Sequence, residues 1–403
     1  MRNPTPNSHW RGLTMILGLL ALTACGGLGG IMGQGGGATA PSTLHPPGSY
    51  APNTPMYWMS MATTNSLMAG MGEQGGLGGL IMGKMTGPSR TMTLQAASQA
   101  SGTNPEANHD IPAGLKMGPT LPLVTPRVES RGTTERPEST PWAKKEEKPK
   151  GRIKFYWGCS ETVRPGQPRI VDISKMSAGE MGKVFVGRTG SAQNPPAPRP
   201  GWTYGDWPNE KNSQKVPDGA SLVGDHFVHG TYLPHIKFSL GPGQDFLAQA
   251  KLTQSGTTAE SVRLQWESIP GAIGYFAMAM GQEEKTGDMV IWSSSDVPEP
   301  GWGLLDYLPS GDVRRFIQER VVLPAGVTSC QVPQGIFKDS GGAYLQFIAW
   351  GEDFVAAKKP EWSLKARYKS TAAVMLGLAG SGASGGQKKG SGGGLLDIIK
   401  GIF

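Results

Sequence analysis

The sequence is poor in charge, in cysteine and in helical periodicity. Only 17% of its 403 residues are Asp, Glu, Lys or Arg, and only three are cysteine. No basic cluster carries interleaved aromatics, which excludes the groove that a nucleic-acid binder needs. The run "KKEEKPK" at 144 to 150 mixes both signs and reads as solvated linker. The apolar runs at 13 to 22 and 395 to 403 fall short of the ~20 residues of a membrane-spanning helix. There is no Gly-x-Ser-x-Gly elbow, no His-Glu-x-x-His, and no glycine loop joining a strand to a helix. The "GGLGG" runs are low complexity and carry no nucleotide signature. No cofactor is implied. Through the first 300 residues no helix is convincing. One short helix is expected at 311 to 322, where Val313, Phe316, Ile317 and Val321 share a face and Asp312 can cap.

What is present is glycine, proline and strand-like alternation. Gly 60 and Pro 33 concentrate in particular segments. "MYWMSMATTNSL" (56 to 67) and "RTMTLQAAS" (90 to 98) alternate and read as a hairpin around a long Gly/Met-rich insert. The insert is either a disordered loop or a contact for lipid or a partner, since methionine surfaces adapt. Strands also read at 153 to 159 and 169 to 173, and again after a Pro-rich excursion at 191 to 220.

The start of the chain has its own logic. Arg2 and Arg11 precede a ten-residue apolar run, "LTMILGLLAL", the layout of an export signal. Leu22-Thr23-Ala24-Cys25 then resembles the lipobox of bacterial lipoproteins. The resemblance implies a signal peptide over 1–24, cut before Cys25. It also implies a diacylglycerol on the Cys25 thiol and a fatty acyl chain such as palmitate on the new amine. Gly26 after the cysteine implies the outer membrane of a Gram-negative cell envelope. Several acyl chains on one residue make a stable anchor. The glycines from 25 to 50 then read as a tether. Without Arg2 and Arg11, 36 basic residues face 31 acidic ones, a mild net charge of +5. The envelope is oxidising, so Cys159 and Cys330 are either bridged or two separate buried thiols.

Further on, "VRLQWESIPGAIGYFAMAM" (262 to 280) reads as strand, Pro-Gly turn and strand. It resembles the B and C strands of a fibronectin type III-like sandwich, and "TSCQVPQG" and "AYLQFIAW" resemble its later strands. The resemblance implies a fold and no activity. The expected architecture is mainly β: two β-sandwich-like modules with a Gly-rich disordered linker, loop and tail. The first module spans 51–240, with the Gly/Met loop at 68–89 and the linker at 129–150. The second spans 241–370, with an insertion at 296–322. A Gly-rich tail fills 371–403. Its apolar end, "LLDIIKGIF", packs on its own domain or is disordered, binds a partner, or touches lipid.

"PGWTYGDW" (200 to 207) and "PGWGLLDY" (300 to 307) echo each other. Trp202 with Asp206 and Trp302 with Asp306 could form paired aromatic and carboxylate contacts suited to a sugar ring, or two turns whose tryptophans anchor on the sandwich. The densest set of metal-ligand types is Asp225, His226, His229 and His235. On a strand His226 and His229 face opposite ways, so no metal is assigned. The expected role is binding or structural rather than enzymatic: a lipid-anchored protein that engages another envelope protein or a glycan, with the bilayer as a partner through acylated Cys25. The alternative is a periplasmic or surface hydrolase of glycans or peptides, built on Asp206, Asp306 and the 225 to 235 loop. It requires those groups to converge.

Overall fold

The computed structural model describes residues 53–66, 89–100, 104–126, 151–176, 180 and 183–377. The signal 1–24, Cys25, the tether, most of the Gly/Met loop, the 129–150 linker and the apolar C-terminal segment lie outside the described residues.

The described chain is mainly β. β1 (Met56–Ser66) and β2 (Ser89–Ser98) form the expected antiparallel hairpin, with Met59 opposite Leu94 and Met61 opposite Met92. β3 (Ala107–Asp110), β4 (Thr120–Leu123), β5 (Arg152–Trp157), β6 (Arg169–Asp172) and β7 (Thr203–Trp207) follow. Then come β8 (Gly224–Gly230), β9 (Ile236–Leu240), β10 (Leu252–Ser255), β11 (Val262–Trp266), β12 (Ala272–Glu283) and β13 (Met289–Ser293). Helix α1 (Ser310–Gln318) precedes β14 (Leu323–Pro324), β15 (Ser329–Val332), β16 (Ser340–Gly351), β17 (Phe354–Lys358) and β18 (Trp362–Leu376).

One eleven-stranded sheet runs in the order β6-β5-β13-β12-β16-β18-β1-β2-β7, with β14 on β12 and β17 on β18. Two small sheets, β10-β11-β15 and β4-β3-β8-β9, pack on one face of it. The sequence of β12 explains the layering. "YFAMAM" is apolar at every position because both faces are covered. Tyr275, Ala277 and Ala279 join the core under the small sheets, where Trp266 meets Tyr275 and Phe347 at ring separations of 5.7 and 4.9 Å. Phe276, Met278 and Met280 point the other way, into a second core covered by Val313 and Phe316 of α1. The 296–322 insertion is therefore the lid of that outer face.

Three expectations change. The boundary at 240 does not divide the sheet, because β5 pairs in parallel with β13 and β1 in parallel with β18. Strands from both sides of 240 share one core. The tail does not begin at 371: β18 continues to Leu376, since Ala372, Val374 and Leu376 alternate into the core. Asp312 does not cap α1. It is buried, accepts the Ser191 amide, and receives Arg315 at 2.7 Å.

Candidate functional site

The echoed tripeptides share a turn and then part. Gly201 and Gly301 both sit at positive φ, 74° and 90°. After the first turn Thr203 and Tyr204 extend into β7, and Trp202 lies half-buried beneath the Arg199 guanidinium, 3.4 Å from the ring centroid. After the second, Gly303 and Leu304 make a 3-10 turn that tucks Trp302 against the outer core, edge-on to Phe185 at 5.8 Å. The Trp302 indole N–H has no partner among the described residues. The two tryptophans thus serve different ends, one capped by a cation and one anchoring a loop.

The glycines separate two costs. A Cβ on Gly201 meets nothing within 4 Å, so Gly201→Ala loses only the left-handed penalty, about 1–2 kcal/mol. A Cβ on Gly301 falls 2.8 Å from the Phe276 ring, so Gly301→Ala adds overpacking and costs about 2–4 kcal/mol in all. Urea denaturation of the two variants checks the order.

The acids also separate. Asp206 on β7 accepts the Tyr204 hydroxyl at 3.0 Å, and burial raises its pKa against that bond. Asp306, 80% exposed, receives Lys369 Nζ at 2.6 Å. Asp206 stands beside Gln95, Gln95 beside Trp58, and Trp58 beside Lys365. Asp206 is therefore three strand spacings, roughly 14 Å, from β18. The histidines lie elsewhere again, on the four-stranded sheet that covers the opposite face. Asp225 is exposed and bonded to Ser239. His226 turns into the core. His229 Nε2 lies 3.2 Å from Asp110, and His235 packs edge-on to Phe227. Tyr232 of the 225 to 235 segment lies near Asp206, but His226 and His229 bond elsewhere and Asp306 pairs with Lys369, so the acids and the histidines do not converge. Among the described residues no group of three or more His, Cys, Asp or Glu is placed to hold a metal, and no helix is long and apolar enough to cross a membrane.

Two features of the structure were not anticipated from the sequence. The first is a cationic and aromatic row on the outer face of β18. Lys365, Arg367 and Lys369 alternate there. The Arg367 guanidinium lies 5.3 Å from the Trp58 ring and 4.3 Å from that of Tyr307, and Lys369 Nζ lies 4.2 Å from Tyr307. Lys365 is buried and pairs with Asp353 at 3.0 Å. The Pro-rich excursion starts across this face as a strap. Gln193 donates to the Tyr307 carbonyl and accepts from Lys365, and the Pro196 carbonyl accepts from Gln95. The spacing Lys-x-Arg-x-Lys was visible in the sequence. Its aromatic partners come from 58 and 307 and carried no local signal.

The second is a cleft of about 450 Å³ at the β5–β6 end of the sheet, within the size range of ligand sites. Phe155 and Trp157 line it together with Arg169, Lys183 and Arg188, and Arg169 is the cross-strand neighbour of Phe155. Arg188 is tied to buried Glu299 at 3.3 Å and to Glu319 at 2.6 Å. Arg169 and Lys183 have no acidic partner among the described residues. The cleft borders the free edge strand β6, where Ile170 is 51% exposed.

The Cys159–Cys330 disulfide is formed, with Cα atoms 4.8 Å apart. Compared with known protein families, with curated proteins and with solved structures, the chain matches none.

Proposed function

We propose that the chain is a lipid-anchored binding protein of the cell envelope, held at the outer membrane through acylated Cys25 and engaging another envelope protein or a glycan. The observation that carries the binding role over a hydrolytic one is that Asp206 and Asp306 stand at separate places on one face of the large sheet while the histidines belong to the small sheet against its other face. Hydrolysis needs two placed carboxylates, or a nucleophile within reach of a base. The aromatic and cationic cleft beside an open sheet edge suits a ligand instead. The strand order also supports a fibronectin type III-like sandwich at its centre. β10-β11-β15 faces β13-β12-β16-β18, the arrangement of strands A-B-E against C′-C-F-G.

The test uses the full chain extracted from membranes. Mass spectrometry is expected to find a first peptide beginning at an acylated Cys25, and Cys25→Ser is expected to leave the membrane fraction. An unmodified Cys25 rejects the anchor. Cross-linked co-purification, with a 391–403 deletion beside it, is expected to retain an envelope protein or polysaccharide without altering it. Cleavage of the retained polymer would favour the hydrolase.

A further inference from the structure

Arg367 is unlike the other cations of its face. Lys365 and Lys369 each have a carboxylate, Asp353 and Asp306, at 3.0 and 2.6 Å. Arg367 has none within salt-bridge distance among the described residues. Among the described residues its one hydrogen bond runs from Nε to Ser60 Oγ at 2.8 Å, and neither terminal nitrogen of the fork has a partner there. The two lysine pairs cancel, so the cluster keeps one positive charge, placed on a half-buried guanidinium between two aromatic rings. Burial costs this charge part of its hydration and lowers its pKa, while Tyr307, Asp306 and Asp353 only partly offset the loss. A half-buried guanidinium with no carboxylate and with donors still open to solvent is an incomplete interaction, since a charge that loses hydration is normally paired and hydrogen-bonded. The guanidinium carbon lies over the Trp58 and Tyr307 rings, which attract its charge and help to position it. Its edge is left for a planar or tetrahedral oxyanion to meet with two parallel bonds.

We propose that Arg367, flanked by Tyr307, Trp58 and Lys369, is a binding site for an oxyanion, a carboxylate or a phosphate group carried by the ligand. The site does not depend on the envelope address, so it stands or falls apart from the lipid anchor.

Calorimetric titration of the full chain with inorganic phosphate, acetate and glucuronate tests it, with glucose and chloride as controls. At least one oxyanion is expected to bind saturably at one site per chain, and glucose and chloride are not. Phosphate against glucuronate tells a phosphorylated ligand from an acidic sugar. Arg367→Met is expected to weaken binding at least tenfold. Arg367→Lys is expected to weaken it as well, because an ammonium keeps the charge and loses the fork. The wild-type chain gives a second readout. Phenylglyoxal modification at Arg367, mapped by mass spectrometry, is expected to slow several-fold in the presence of the bound oxyanion. An absence of saturable binding, a response that chloride reproduces, or equal modification with and without oxyanion would overturn the site. So would equal affinity in a folded Arg367→Met variant.

Discussion

Replacing Cys159 and Cys330 with serine is expected to destabilise the protein by about 5 kcal/mol. The bridge closes a loop across a sequence separation of 171. In the chain-entropy description such a closure removes about 5 kcal/mol of disorder from the unfolded chain. Whole domains hold only about 5–15 kcal/mol, so the loss is of the order of the total. The bridge also sits where it does mechanical work in the fold. Cys159 follows β5 in the large sheet, and Cys330 lies within β15 of the three-stranded sheet. The bond therefore joins the two layers of the sandwich at one end. Backbone bonds beside it, Ser160 N–H to the Gln331 carbonyl at 3.0 Å and Gln334 N–H to that of Glu161 at 2.8 Å, zip the same seam. They form in the folded state alone and cannot replace the constraint on the unfolded chain. Urea titration of the double variant, or of the wild type under reductant, measures the effect. A shift under 1 kcal/mol would show that the seam holds without the bridge. A bond of this importance agrees with the oxidising address proposed for the chain.

The parts of this fold that were readable are those with local signatures. Alternation marked β1, β2 and β11, and the Pro270-Gly271 turn marked the step from β11 to the apolar strand β12. The spacing of Val313, Phe316 and Ile317 marked α1. What could not be read was pairing at a distance. β1 joins β18, and β5 joins β13, in parallel registers that no turn specifies. Those two pairings cross the expected boundary at 240. Beyond the expected end at 370, Ala372, Val374 and Leu376 keep the strand period. The two Pro-Gly-Trp segments part for a similar reason. Identical Pro-Gly-Trp turns precede a strand in one case and a 3-10 turn in the other, so the echo reproduces the turn and not the environment of the tryptophan. The row at Arg367 draws its aromatics from 58 and 307, and only the folded sheet brings them together.

His109 and His226 supply the second large expectation: the protein loses stability as pH falls below about 6.5. The two rings lie end to end between the large sheet and the four-stranded sheet. The chain of bonds runs Tyr57 Oη to His109 Nδ1 at 2.8 Å, His109 Nε2 to His226 Nδ1 at 2.9 Å, and His226 Nε2 to the Leu222 carbonyl at 2.7 Å. A carbonyl only accepts, so His226 Nε2 carries a proton and donates. In a neutral ring its Nδ1 must then accept, which makes His109 Nε2 the donor and leaves His109 Nδ1 to accept the Tyr57 hydroxyl. The whole relay is fixed in one direction with both rings neutral. A further proton on His226 Nδ1 would set it against the N–H of His109, and one on His109 Nδ1 would displace the Tyr57 bond. Burial lowers the pKa of both rings, with the neighbouring His226 adding to the effect on His109. At His226 burial outweighs the Leu222 carbonyl and Asp225, which favour the proton. The unfolded chain therefore takes up protons first as pH drops through the ordinary histidine value of about 6.5. The contribution is complete above that pH and is lost below it, by up to about 1.4 kcal/mol per pH unit for each ring. Between pH 6.5 and 5, His109, held further below the ordinary value than His226, supplies the larger share of that loss. Urea midpoints measured across that range are expected to fall steeply for the wild type and to flatten in His109→Gln/His226→Gln, which cannot titrate. A wild-type midpoint that stays level from pH 7 to 5 would mean that the relay accepts its extra proton without cost, and the direction assigned to it would be wrong.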